Sequence, residues 1–145
     1  MTIAVGSDES SALTEALLAK LRARGIAVRT FGALAEGAQR LWSLVGRAVG
    51  EAVANGECEM GVLLCWTGTG VSIAANKVPG VRAALCVDAA TAAGARRWND
   101  ANVLCLSLRS TASPVMEEIL DAWLSTDASD GEREIEAIEA LEPSK

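Results

Sequence analysis

The chain has 145 residues, 50% of them hydrophobic, with a formal net charge of −6 and a pI near 4.7. That acidity argues against nucleic-acid binding, which normally uses a basic face, and no apolar run approaches the roughly eighteen residues of a membrane span. There is no histidine, so acid–base chemistry must use Cys, Asp, Glu, Lys or hydroxyl groups.

The opening, MTIAVGSDES, lacks a basic stretch leading into an apolar core, so a cytoplasmic protein is expected. Thr2 to Ser7 reads as a first strand. Ser11 to Arg24 follows as a helix with Leu13, Leu17, Leu18 and Leu21 on one face and Gly25 as its stop. Ile26 to Phe31 reads as a second strand and Gly37 to Asn55 as a second helix. Met60 to Cys65 (MGVLLC) is apolar throughout, as a strand covered on both faces should be. After Trp66-Thr67-Gly68-Thr69-Gly70 a short helix runs towards Lys77, and Val81 to Val87 is a fourth strand. Asp88 caps a helix to Arg97. Asn102 to Leu106 is a fifth strand and Ser113 to Leu124 a fifth helix. Residues 1–126 are thus expected to form one domain, with 127–145 an acidic tail, helical around Glu132 to Leu141.

Strands alternating with helices imply a parallel sheet with right-handed crossovers. Ligands of such sheets collect beyond the carboxyl ends of the strands, which here carry Ser7-Asp8-Glu9, Cys65 to Gly70 and Leu106 to Arg109. The second of these places a thiol at a strand end and a glycine-rich turn just before a helix. Glycines allow close approach of backbone N–H groups, and a helix N-terminus favours negative charge, including that of a thiolate. Such a loop could take a proton and hold the resulting oxyanion. The residues alone leave two readings open, an anion-binding loop or a tight structural turn. A Walker A loop would need Gly-Lys-Ser/Thr, and a dinucleotide fingerprint a third glycine after the first strand. Cys58, Cys65, Cys86 and Cys105 form no C-x-x-C pair, and with no histidine a zinc site is not expected. The thiols other than Cys65 read as structural.

The run CWTGTGVSIAANKVPGVRAALC resembles the hallmark segment of the type B ribose-5-phosphate isomerases and their galactose-6-phosphate isomerase relatives, roughly C-G-T-G-x-G-x-S-I-A-A-N-K-x-x-G-I-R-A-A. IAVGSD, NDANVLCL and DAWLST extend the resemblance from about residue 2 to 138. It implies a Rossmann-like three-layer α/β sandwich with a five-stranded parallel sheet and a C-terminal helix packed on the body or on a neighbouring subunit. It also implies aldose–ketose isomerisation of a sugar or sugar phosphate through an enediolate, without metal or other cofactor. By the same resemblance Cys65 is the base, and Thr67 assists proton movement between the two oxygens. Gly68, Thr69, Gly70, Val71 and Ser72 form the anion hole, Asp8 and Asn99 contact the sugar, and Arg109 meets phosphate. A homodimer or dimer-based tetramer, with sites shared between subunits, is implied as well.

The departures from the pattern fall in the site. Glu9 replaces a histidine near the phosphate, and Trp98 replaces the histidine that helps open the sugar ring. Trp66 follows the cysteine where the family has glycine, and Trp42 begins the segment that replaces Y-P-D-Y. Glu132, Glu134 and Glu136 stand in a tail where the family has arginines, with Arg133 among them. Trp42, Trp66 and Trp98 either fill a degenerate pocket or line a site for a less charged ligand. The expectation is a divergent isomerase that is not an efficient ribose-5-phosphate isomerase. The alternative is a non-catalytic ligand-binding protein or the partner subunit of a hetero-oligomer with a paralogue.

Overall fold

The computed structural model describes residues 1–37, 39–129 and 133–143. Five strands, β1 (Thr2–Ser7), β2 (Ala27–Gly32), β3 (Met60–Cys65), β4 (Ala83–Leu85) and β5 (Val103–Ser107), form one sheet in the order β2-β1-β3-β5-β4. Every pairing is parallel. Helices α1 (Ala12–Ala23), α4 (Ala89–Asn99) and α5 (Ser113–Ser125) cover one face, and α2 (Trp42–Ala54) and α3 (Thr69–Asn76) the other. The three-layer α/β sandwich read from the sequence is the fold observed.

The period-2 alternation of the buried strands explains the two cores. Ile3, Val5, Val62, Leu64, Leu104 and Leu106 face α1, α4 and α5. Ala4, Leu63, Cys65, Val103 and Cys105 face α2 and α3. After β2 the chain crosses back over β1 to lay down β3, so the direction of winding reverses between β1 and β3. Their carboxyl ends, Ser7 and Cys65, flank the switch-point crevice where ligands of such sheets bind.

Local chemistry sets the element ends. Ser11 caps α1 reciprocally with Thr14, its Oγ accepting from Thr14 N at 3.2 Å while its own N–H donates to Thr14 Oγ1 at 2.8 Å. Gly25, at φ 71°, closes the helix, with Gly25 N donating to Arg22 O and Ile26 N to Leu21 O. This closure uses Ile26, so β2 begins one residue later than the sequence suggests.

Two expected elements are shorter than read. Helix α2 starts at Trp42 rather than Gly37, because Gly37 sits at φ 69° and Gln39 Oε1 holds the N–H groups of Arg40 and Leu41 in a turn. Strand β4 covers only Ala83–Leu85. Beside it two asparagine side chains take the place of ladder bonds. Asn102 accepts from Arg82 N at 2.8 Å and donates to Gly80 O, while Asn76 bonds both N and O of Ala83. Cys86 lies just past the strand, its N–H still donating to Cys105 O at 3.1 Å. Helix α6 (Arg133–Leu141) packs on α4 within the same chain and buries none of its residues. Just after it, Glu142 pairs with Arg82, which also binds Asp100. Glu132 lies outside the described residues. Among the described residues no helix is long and apolar enough to cross a membrane.

Candidate active site

Cys65 ends β3 and points towards the α2–α3 layer, with 4% of its surface exposed. The chain beyond it is pinned to the end of β5. Leu108 N donates to Cys65 O at 2.9 Å, and Arg109 N to Trp66 O at 3.0 Å. Ser107 Oγ donates to the same Trp66 carbonyl at 2.9 Å and accepts from Ser110 N. With its carbonyl held from below, Trp66 turns its indole outwards, 59% exposed.

Gly68 then adopts φ 78° and becomes the N-cap of α3. A Cβ there would lie 2.6 Å from Leu85 Cδ1 and 2.9 Å from the backbone C and O of Leu106, so only glycine fits this turn. Gly68 offers no side-chain cap, and the first-turn amides of Thr69, Gly70 and Val71 have no intrahelical partner. The Ser72 N–H closes onto Gly68 O at 3.4 Å, and its hydroxyl turns inwards to hydrogen-bond Cys105. Of the residues read from sequence as an anion hole, Thr69 and Gly70 keep exposed surface, whereas Val71 is fully buried, backbone included.

A cleft of about 270 Å³ opens over this turn, lined by Cys65, Trp66, Thr67, Thr69 and Gly70, by Asp8 from the end of β1 and by Trp42 from the start of α2. The hydroxyls of Thr67 and Thr69 are 2.7 Å apart. The Trp42 ring lies directly on Gly70, where a Cβ would come within 2.8–3.0 Å of three ring carbons. Asp8 follows a tight turn in which Ser7 Oγ donates to Glu9 O at 2.6 Å and accepts from Glu9 N. Its Oδ1 is sealed from solvent and has no hydrogen-bond partner. Burial, and then the neighbouring Glu9 charge, push the Asp8 carboxyl above its ordinary value. No lysine or arginine is among the described residues lining the cleft.

The other residues picked from the sequence lie outside this cleft. Glu9 is exposed beside Asp8. Arg109 is exposed just behind Trp66, tied to it through the backbone, and has no ion-pair partner among the described residues. Trp98 lies over Gly94 of its own helix and is 56% exposed. Asn99 borders a separate hollow with Asn76, Arg82 and Ile138. Within one chain, therefore, two of the three tryptophans meet at Cys65 and the third does not. The buried hydroxyls of Ser7 and Ser107, which hold the cleft walls in place, were not singled out from the sequence. Their signal is a polar residue ending an otherwise apolar buried strand.

A larger groove of about 390 Å³ runs outside α2 and α3, past Trp42, Ile73 and Val78. Its ionisable groups are Lys77 and the paired Arg47 and Glu51. Among its described lining residues it holds no thiol, so the smaller cleft is the better place for thiol chemistry. All four cysteines are free and buried. Burial pushes the Cys86 thiol up to about 11 and raises Cys58 and Cys105 as well, which keeps these three protonated and inert.

A thiol, two hydroxyls and a carboxylate beside open amides at the switch point of a doubly wound sheet define a small-molecule site of the α/β class. The sequence model of the family described as Ribose/Galactose Isomerase matches residues 3–141. A ribose-5-P isomerase B of Listeria innocua is 34% identical over 132 residues, covering 90% of this chain and 88% of the relative. A D-erythrulose-4-phosphate isomerase of Pectobacterium atrosepticum is 33% identical over 132 residues, covering 90% of this chain and 87% of the relative. The solved ribose-5-phosphate isomerase B of Clostridium thermocellum superposes with a TM-score of 0.88 at 36% identity, covering 97% of each chain. The chain belongs to the ribose/galactose isomerase family of sugar phosphate isomerases.

Proposed function

We propose that this chain is an aldose–ketose isomerase that works through a cis-enediolate, with Cys65 as the base. The observation that carries the reading is one cleft holding the Cys65 thiol, the Thr67–Thr69 hydroxyl pair and the open amides of α3. The Cys65 thiolate removes the proton from C2 of an open-chain aldose. The C2–H electron pair forms the C1=C2 bond, and the carbonyl electrons move onto O1. The amides of Thr69 and Gly70 hold that oxyanion. Thr67 passes a proton from O2 to O1, and the Cys65 thiol returns its proton to C1, giving the ketose. The reaction needs no metal or redox partner.

Because the chain has no histidine and no cation is among the described residues lining the cleft, we read it as a poor ribose-5-phosphate isomerase. Ring opening of a cyclic substrate loses roughly 10²–10⁴ in rate without its acid–base group. We place the protein in the cytoplasm as a homodimer or dimer-based tetramer. Trp98 and Asn99, exposed and outside the Cys65 cleft of their own chain, favour assembly with a second subunit. One relative, from Clostridium acetobutylicum, is a galactose-6-phosphate isomerase subunit, 45% identical over 83 residues. This supports a second reading, a partner subunit whose site is completed by a paralogue.

Deuterium uptake from solvent at C2 tests the first reading, followed by NMR across sugars and sugar phosphates. Wild type should exchange at least one of them, and Cys65→Ala should lower that rate roughly 10²-fold or more with an unchanged melting temperature. Uptake that survives the substitution removes Cys65 as the base.

A further inference from the structure

We propose that Gly94, Arg82 and Asp100 are positioning residues that fix Trp98 and Asn99 at the exposed end of α4 for the sugar. The proposal rests on the isomerase reading above, with Asn99 as a sugar contact in a site shared between subunits. Two choices in and just after α4 are poor ones for the fold alone. Asp100 ends the helix in the left-handed region, at φ 46° and ψ 42°, where glycine is usual. At every other positive φ among the described residues the chain does place glycine. Gly94, conversely, stands inside the helix, where glycine weakens the element. Costly local choices of this kind persist where they serve something beyond the element itself.

The structure shows what each one serves. A Cβ on Gly94 would lie 2.8 Å from Trp98 Cζ3 and 3.0 Å from Cε3, and its three nearest atoms all belong to that ring. Glycine here is a seat for the indole four residues on, along the same helix face. Asp100 is gripped by an arginine fork. Arg82 Nη2 donates to its Oδ2 at 2.8 Å, and Arg82 Nε to its carbonyl at 3.0 Å. Arg96 Nη1 lies 3.6 Å from the other carboxylate oxygen. Both arginine side chains are largely buried. Arg82 is itself fixed to the sheet edge, its N–H donating to Asn102 Oδ1 at 2.8 Å and its carbonyl accepting from Asn102 N at 2.9 Å. A planar fork of this kind holds orientation as well as charge. Support therefore runs from the start of β5 through Arg82 to Asp100, and ends on two exposed side chains, Asn99 and Trp98.

The test labels the full chain with fluorotryptophan and follows its four tryptophans by fluorine NMR, with the Trp98 line assigned by Trp98→Phe. Solvent deuterium uptake at C2 reads turnover on a sugar or sugar phosphate that wild type exchanges. Gly94→Ala restores a good helix former and displaces the ring, so it should melt no lower than wild type. It should nonetheless shift the Trp98 line and lower exchange roughly tenfold, whereas a merely structural glycine would leave exchange untouched. Asp100→Gly keeps the turn while removing the carboxylate, and should broaden the Trp98 line and lower exchange by a similar factor. Arg82→Lys, which keeps the charge but not the fork, should behave like Asp100→Gly. Combined with Asn99→Ala, Asp100→Gly should lose no more exchange than Asn99→Ala alone, because both act at one residue. An unmoved Trp98 line, exchange equal to wild type in either single variant, or losses that multiply in the double variant each overturn the proposal. A wild type that exchanges no compound removes the isomerase reading, and the spectra then decide the positioning alone.

Discussion

On the α1–α4–α5 side of the sheet, Trp123 is fully buried and Arg96, 8% exposed, lies over its ring with the guanidinium carbon 5.6 Å from the centroid. Arg96 also donates to Ala101 O and, at 3.2 Å, to Thr126 O, so the ends of α4 and α5 are tied together. On the α2–α3 side, Trp42, Leu44 and Ile73 are 46%, 40% and 59% exposed, and one oxygen of Asp8, nearby at the end of β1, has no partner. Both layers cover the same strands with residues of the same kind. The first buries its tryptophan completely, although the indole Nε1 finds no partner there, whereas the second leaves large apolar side chains open to solvent. Large apolar side chains exposed beside one thiol, Trp42 and Trp66 above all, mark the face on which the molecule meets something else.

The largest test of that contrast exchanges tryptophan for alanine on each side. Trp123→Ala should cost about 3–5 kcal/mol, because it empties a fully buried site. Trp66→Ala should change stability by no more than about 0.5 kcal/mol, as expected for an exposed side chain without polar partners. Urea unfolding of the two variants reads both values. A loss above about 1 kcal/mol for Trp66→Ala would mean that this indole supports the fold and does not wait for a ligand.

A second test compares two left-handed glycines. Gly25 and Gly68 have similar dihedrals, φ 71° and 78°, but a Cβ at Gly25 meets open space while one at Gly68 strikes Leu85 and the Leu106 backbone. Gly25→Ala should cost about 1 kcal/mol, the conformational penalty alone. Gly68→Ala should cost about 2 kcal/mol or more, and should also lower C2 exchange because the open amides of α3 shift with the turn. Equal losses at the two sites would show that the backbone around Gly68 yields easily.

The sheet was legible in the sequence because its strands are buried on both faces, and MGVLLC or NVLCL has no alternative use in a protein of this size. Helix α1 was legible through its leucine spacing and its Gly25 stop, and α4 through its Asp88 cap. What was not legible depends on partners distant in sequence. Strand β4 is short because Asn102, twenty residues on from Arg82, takes over its hydrogen bonding. Helix α2 starts late because a glutamine side chain holds the turn before it. In the site, local spacing was enough to bring Cys65, Thr67 and Thr69 together. The inward turn of the Ser72 hydroxyl and the seat of Trp42 on Gly70 depend on how α2 and α3 pack. Aligning Trp98 with a site position likewise could not place it relative to Cys65 within one chain.

The smallest expected effect lies at the Asp8 carboxyl, one oxygen of which has no partner. Burial and Glu9 raise the Asp8 carboxyl above its ordinary value of 3.8, so the folded chain holds this proton more tightly than the unfolded chain. The linkage sign follows. Between 3.8 and the raised folded value the native state binds more protons, and stability falls as pH rises through that window. Asp8→Asn removes the titration while keeping the shape. The variant should therefore gain stability over wild type as pH rises through the window and hold that gain at neutral pH. The carboxyl is only partly desolvated, so the gain should be roughly 0.5 kcal/mol or less. Urea midpoints measured from pH 4 to 8 would show it as a growing difference that levels off. A difference independent of pH would mean that the Asp8 carboxyl is not desolvated in solution and titrates alike in the folded and unfolded chain.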